Sequence, residues 1–394
     1  MITNTLISSA KILSLIFNGT AQSKTELAIQ TGFSRATVSK YLEPLFATGI
    51  IYESEDTIQS GGRPAKAINF NKNLKVILAA DIGEQYIRIA VTNMRTEILT
   101  DCIEQINVTS GPKVILDLIS NRFIFLLDKI GRSLNDVIGI GLSLPAPVDY
   151  KAGRVVGPSI MTGWDGFDIR SYLQKKFKTT IVADNDVNIM TVAEQRQYWP
   201  NVEQMLFIKL GTGIGCGIVT NRKIYRGAQG AAGDIGHIRL GGMGDPLCRC
   251  GNIGCTEALA AGWALARDLR KAGYSAQNAR DVLALVKQNI PEAIHMVRKA
   301  GKILGEVISD SVSILNPSVV VIGGTLAHAE EYLLAGIREI VYQRALPLAT
   351  RELIITTSKS GEQICIQGCA LSVLDICFLS PAIETTITHL QNLS

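Results

Sequence analysis

Three of the chain's eight cysteines crowd into Cys248-Arg249-Cys250-Gly251-Asn252-Ile253-Gly254-Cys255, with His237 a short distance upstream. A run this dense constrains the chain more than any other feature, because it reads as a metal site and not as a disulfide framework. Three thiolates and one imidazole, from His237, Cys248, Cys250 and Cys255, fill a tetrahedral Zn2+ shell. With no open position, that zinc is expected to be structural and not a generator of hydroxide. Gly251 and Gly254 allow the tight turns that bring three sulfurs to one point, and Arg249 offsets part of the charge. The remaining thiols, Cys102, Cys216, Cys365, Cys369 and Cys377, stand among apolar residues and read as core.

The metal reading presupposes a reducing compartment. The longest apolar stretches, Met205–Val219 and Val312–Gly324, are interrupted by Lys209, Asn316, Pro317 and glycines, and neither has membrane-spanning length. Leu6–Phe17 has helical periodicity, carries Lys11 and serines, and lacks a small-residue cleavage site, so it is not read as a signal peptide. The chain is therefore expected in the cytoplasm, without a membrane partner. With 47% hydrophobic and 19% charged residues it has a globular composition, and 394 residues imply two or three domains. A net charge of +4 permits DNA binding without arguing for it.

The first seventy or so residues carry a different pattern. Ile12, Leu13, Leu15 and Ile16 make an apolar helical stripe within Ile7–Phe17. Ser23 with Glu26 forms a capping box for a second helix, roughly Ser23–Gln30, and Gly32 can end it. Ser34 caps a third helix, Arg35 to about Phe46, with Val38, Leu42 and Leu45 inward. This is the helix-turn-helix pattern. Ser34, Arg35, Thr37, Ser39 and Lys40 place hydroxyls and cations where they can reach phosphates and base edges in a major groove. Ile50-Ile51-Tyr52 and Ala67-Ile68-Asn69-Phe70 read as the strands of a wing, with Arg63 in Gly61-Gly62-Arg63-Pro64 aimed at a minor groove. Pro44 removes a hydrogen bond to Lys40, so the third helix is expected to bend or end early.

From Leu74 the pattern becomes β/α alternation, long enough for two lobes with a cleft between them. Strands fall at Lys75–Asp81, Tyr86–Asn93, Val137–Leu144, Thr180–Ala183, Met205–Leu210 and Val319–Ile322. Helices fall at about Lys113–Ile130, Arg170–Lys176, Val187–Trp199, Thr256–Arg270, Ala279–Lys287, Glu292–Leu315 and Ala329–Tyr342. Glycine turns follow three strands, at Asp81-Ile82-Gly83, Gly211–Gly217 and Gly323-Gly324-Thr325. In this order they match the phosphate and adenosine loops of an actin-like ATPase fold better than a Rossmann or P-loop pattern.

Taken together, the winged helix, Asp81-Ile82-Gly83, Asn185-Asp186-Val187-Asn188, Gly211-Thr212-Gly213-Ile214-Gly215, Gly236-His237 and the cysteine run ending in Glu257 resemble the ROK family of repressors, open reading frames and kinases. The resemblance is to its repressor branch, which includes xylose-, glucose- and N-acetylglucosamine-responsive regulators. It implies an α/β protein: an N-terminal winged helix-turn-helix followed by a two-lobed actin-like ATPase (ribonuclease H-like) fold. The expected boundaries are 1–72 for the DNA-binding domain, 73–195 with a C-terminal helix 380–394 for the first lobe, and 196–379 for the second lobe with the zinc. By position, the resemblance assigns His237, Cys248, Cys250 and Cys255 to the zinc. It assigns Asn185, Asp186, Asp234, His237 and Glu257 to sugar hydroxyls, and places Asp186 at the kinases' general base. His237 then serves both metal and sugar.

Three departures set this chain apart from the kinases. Asp81-Ile82-Gly83-Glu84-Gln85-Tyr86 stands where kinases carry Asp-Ile-Gly-Gly-Thr, and Glu84 brings charge and bulk to a phosphate loop. Asp234 replaces a glutamate, and Ser159 stands where an asparagine is expected. The expectation is a transcriptional regulator of carbohydrate genes, without kinase activity and with Asp186 as a vestigial base. It would bind operator DNA as a homodimer or dimer of dimers and respond to a sugar held between the lobes. The alternatives are a sugar kinase with an appended DNA-binding domain, and a regulator controlled by a protein partner.

Overall fold

A computed structural model of the chain describes residues 2–58, 65–157 and 160–378. Arg63, Ser159 and the expected helix 380–394 lie outside the described residues.

At the N-terminus α1 (Ile2–Phe17), α2 (Lys24–Thr31) and α3 (Arg35–Ala47) precede the antiparallel pair β1 (Ile51–Ile58) and β2 (Ala65–Phe70). The caps are those expected. Ser23 Oγ accepts from Glu26 N at 3.2 Å while Glu26 Oε2 accepts from Ser23 N at 3.1 Å, and Gly32 ends α2 at φ 75°. Ile12, Leu13 and Ile16 of α1 are buried with Leu27, Val38, Leu42 and Leu45, so three short helices share one small core. The third helix does not stop early: α3 runs through Pro44 to Ala47. The carbonyl that Pro44 leaves without a helical donor lies one turn back, on the exposed Lys40.

The chain as a whole, these N-terminal elements included, falls in two units. The first comprises Met1–Ser143, Asp168–Ala183 and Cys369–Ser394, the second Leu144–Phe167 and Asp184–Gly368. The first unit holds β3 (Val76–Ile82), β4 (Tyr86–Asn93), β5 (Ile98–Gln105), α4 (Pro112–Lys129) and β6 (Val137–Leu144). Beyond β6 the chain passes into the second unit for β7 (Val148–Asp149) and β8 (Arg154–Val155), then returns to the first for α5 (Ile169–Gln174) and β9 (Thr180–Asn185). Its sheet is ordered β5-β4-β3-β6-β9, an antiparallel meander with β6 added parallel to β3.

The second unit begins its main run with α6 (Asp186–Tyr198), β10 (Gln204–Leu210), β11 (Ile214–Thr220) and β12 (Lys223–Tyr225). Then follow α7 (Thr256–Ala260), α8 (Gly262–Lys271), α9 (Ala279–Lys287), α10 (Pro291–Leu315), β13 (Val319–Gly323), α11 (Glu330–Arg344), α12 (Pro347–Thr350) and β14 (Ile354–Thr357). Its sheet, β12-β11-β10-β13-β14, repeats the strand order of the first. Two sheets of the same order in one chain are the signature of a duplicated ribonuclease H-like unit, the α/β class expected. The last described helix, α13 (Ile364–Phe378), lies on β6, where added Cβ atoms on Gly139 and Gly141 would strike Val373 and Cys369. Among the described residues no helix is long and apolar enough to cross a membrane.

The units depart from the boundaries drawn on sequence for a packing reason. The whole of α6 belongs to the second unit, because it rests on β11 where Gly215 and Gly217 carry no side chain. A Cβ on Gly215 would stand 2.8 Å from Val187 Cγ2, and one on Gly217 would collide with Thr191. The same contact corrects the glycine-loop reading. The turn is confined to Gly211–Gly213, and Gly215 and Gly217 serve helix-on-strand approach. The single helix expected over Thr256–Arg270 is also broken, at Ala261. That residue is extended (φ −71°, ψ 161°), and Gly262 N there donates to Gly211 O at 2.9 Å.

Candidate functional site

The four residues expected to bind metal converge. One ligand atom from each of His237, Cys248, Cys250 and Cys255 lies within 4.8 Å of all the others. His237 Nδ1 is 3.8 Å from Cys248 Sγ, and Cys250 Sγ is 3.8 Å from Cys255 Sγ. The cysteine run folds as a knuckle: Cys248 N donates to Asn252 O at 2.7 Å and Gly251 N to Cys248 O at 3.0 Å, with Gly251 at φ 91°. Burial pushes the Cys255 thiol up to about 12 and raises that of Cys248. A cation that takes thiolates supplies what burial withholds, so this donor set can hold a metal. The other nitrogen of His237, Nε2, faces Asp234 Oδ1 at 3.8 Å, which gives the imidazole an orienting carboxylate.

The expected sugar residues all lie in the second unit. Asn185 caps α6: its Oδ1 accepts from Val187 N at 3.0 Å and its Nδ2 donates to Ala146 O at 3.0 Å. Asp186, only 7% exposed, forms an ion pair with Lys209 on β10. Glu257 opens α7 and spans two donors, Ile214 N at 3.1 Å and Trp263 Nε1 at 3.2 Å. Its Oε2 would stand 2.6 Å from a Cβ on Gly213. In the β10–β11 ladder Lys209 pairs with Gly215, one residue from Ile214. Both carboxylates therefore lean on one hairpin. Asp234 and His237 reach the same strand through Gly233, whose carbonyl accepts from Cys216 N at 2.9 Å.

Several residues here carried no sequence signal. Lys209 sat in an apolar strand and read only as an interruption. Asp184, 1% exposed, receives Arg226 Nε at 2.8 Å and Nη2 at 2.7 Å, together with Asn188 Nδ2 at 3.0 Å. The Arg226 guanidinium also lies 3.8 Å from the Tyr150 ring centroid. Arg249 does more than offset charge, for its guanidinium stands 4.9 Å from the Trp263 ring and ties the knuckle to α8. Only fold-level proximity reveals such partners.

In the first unit, Ser34 Oγ accepts from Thr37 N at 3.1 Å and shares a hydrogen bond with Thr37 Oγ1 at 2.8 Å. Arg35, Ser39 and Lys40 are exposed around that N-terminus, which leaves their charges and hydroxyls open to a ligand. At the turn after β3, Gly83 N donates to Tyr86 O at 2.8 Å in a tight hairpin, and Glu84 is exposed at its tip.

The ROK family matches residues 77–376. The chain belongs to the ROK family. The xylose repressor of Caldicellulosiruptor bescii is 26% identical over 383 residues, covering 93% of this ROK chain and 95% of the repressor. The crystal structure of a ROK family transcriptional regulator, a homologue of the Escherichia coli MLC protein, covers 99% of this chain and 100% of its own at 23% identity and a TM-score of 0.83, which shows the fold. The ROK hexokinase of Thermus thermophilus is 26% identical with a TM-score of 0.62, covering 75% of this chain and 97% of its own. The ROK regulators thus match nearly the full length, while the kinase accounts for about three quarters.

Proposed function

We propose that this ROK protein is a sugar-responsive, DNA-binding transcriptional repressor of carbohydrate genes. The observation that carries the reading is the near full-length likeness to a xylose repressor, which extends past the family region into the segment that folds as a winged helix. The exposed Arg35, Ser39 and Lys40, with Ser34 and Thr37, are the groups that meet operator DNA; Arg63, outside the described residues, is proposed from the sequence to join them. A homodimer in the cytoplasm reading a two-fold operator fits such a module.

In the second unit, His237, Cys248, Cys250 and Cys255 hold a structural zinc. Bound zinc supplies a fixed cross-link and no catalytic water, since four protein ligands close its shell. Asn185, Asp186, Asp234, His237 and Glu257 receive the sugar, with the carboxylates accepting from hydroxyls. Because Asp234 and His237 share the turn beside the cysteines, metal binding keeps the sugar site in shape.

Two observations support loss of kinase activity. Asp186, at the position of the kinases' base, is engaged by Lys209, and Glu84 occupies the tip of the turn meant for phosphate. A thermal-shift screen of monosaccharides and their phosphates tests the sensor reading. At least one should stabilise the protein, and stabilisation by none, with operator release by a protein partner instead, would transfer control to that partner.

A further inference from the structure

Lys209 occupies an unusual place for a lysine. It lies on β10 between the buried Ile208 and Leu210, its side chain is 28% exposed, and its ammonium is turned onto Asp186. Gly215, its partner across the ladder, lets α6 close down so that Asp186 arrives there. A largely buried pair of this kind adds little net stability once its desolvation is counted. What it offers instead is a donor and an acceptor side by side. A sugar hydroxyl can accept from an ammonium and donate to a carboxylate together, so an ammonium–carboxylate pair matches one hydroxyl well.

The charges around the pair narrow the ligand class. Asp186, Asp234 and Glu257 are three carboxylates among the expected sugar residues; Asp186 is paired with Lys209, and the guanidiniums of Arg249 and Arg267 lie on the ring of Trp263, the partner of Glu257, with Arg267 itself paired to Asp268. The nearby guanidinium of Arg226 is already committed to Asp184. A phosphoryl or carboxylate group on the ligand would meet surplus negative charge in a partly desolvated place.

We propose that Lys209 is a specificity-determining residue of the effector site, and that the Lys209–Asp186 pair reads one hydroxyl of a neutral, unphosphorylated sugar. This rests on the sugar-sensor reading above and adds a residue and a ligand class to it.

The test is calorimetric titration of the full chain with neutral aldoses and 2-acetamido sugars, their 6-phosphates and the matching uronic acids. A neutral sugar is expected to bind, with its phosphate and uronate weaker by about tenfold or more. Singly deoxygenated analogues of that sugar are then compared in the wild-type chain, Lys209→Met and Lys209→Arg. One analogue should lose about tenfold or more in the wild type, an effect that largely disappears in Lys209→Met and returns in part in Lys209→Arg. Zinc content and cooperative melting establish that the variants are folded, and the analogue series on wild type stands even if they are not. Tighter binding of the phosphate or uronate overturns the ligand class. Unchanged discrimination in Lys209→Met, or no wild-type hydroxyl dependence, overturns the role of Lys209. Binding of no sugar at all overturns the sensor reading itself.

Discussion

Gly217 lies directly against Thr191: a Cβ added to the glycine would stand 2.7 Å from the threonine's own Cβ and closer still to its hydroxyl. Thr191 Oγ1 is meanwhile fixed to Val187 O at 2.6 Å, so the side chain cannot swing aside without giving up that bond. Together with Gly215 against Val187, this contact sets α6, and with it Asn185 and Asp186, on β11 by the absence of two side chains.

Gly217→Ala should lower the stability of the chain by about 1–3 kcal/mol through overpacking. Thr191→Ala in the same chain should recover only part of the loss, since the 2.7 Å Cβ contact remains. Denaturant melts of the wild type and the two variants check the order.

Glu257→Gln replaces a double acceptor by an amide with one donor edge. Its oxygen can serve either Ile214 N or Trp263 Nε1, not both, and the other N–H then faces an NH2 group. A cost of about 1–3 kcal/mol follows, together with weaker sugar binding. Melting curves and titration with the effector read the two effects separately.

Metal analysis of the purified chain should find one zinc, lost in Cys248→Ser and Cys250→Ser and retained in Cys216→Ser. Cys216 is buried, and burial pushes its thiol up to about 12, so it should also resist alkylation in the native protein at neutral pH. Removal of zinc by a chelator should lower the melting temperature of the wild type and leave the Cys248→Ser melt unchanged.

Phosphotransfer should be absent. With ATP and a panel of aldoses the chain should show no turnover, and Asp186→Asn should weaken sugar binding without altering that result. ATP consumption that disappears in Asp186→Asn would instead establish a working base.

How much of this was legible in the sequence varied with the range of the interaction. Ser23, Glu26, Gly32 and Ser34 act within a few residues of their partners, so the caps of the winged helix could be read directly. The clustering of His237, Cys248, Cys250 and Cys255 into a group that could hold a metal was legible because their chemistry is specific and three of them are neighbours in the chain. Lys209 was not, because its meaning depends on a strand pairing and on a helix head that only the fold brings together. Gly215 and Gly217 were misread as loop residues for a related reason: glycine suits a phosphate turn and close helix packing equally well. The break at Ala261 arises from a tertiary bond, Gly262 N to Gly211 O, that helical periodicity cannot contain. The two matching strand orders also lay beyond reach, since β11 is glycine-rich, β12 and β14 are short, and β5 mixes Asp101, Glu104 and Gln105 among its apolar residues, so none of the four was recognised as a strand.

For the proposed DNA-binding face, Arg35→Ala and Lys40→Ala should each weaken operator binding across sequences and reduce the slope of log K against log salt by about 1 if that side chain meets a phosphate. Both side chains are exposed, so melting should hardly change.

The central claim is that one chain joins operator binding to sugar binding. Its most direct test is the affinity of the full chain for its operator, by fluorescence anisotropy at fixed salt, with and without saturating sugar. A repressor of this kind should bind DNA at least about tenfold more weakly with the sugar, and the sugar should bind more weakly to the DNA complex by the same factor. Equal operator affinity with and without a sugar that demonstrably occupies the protein would contradict the account.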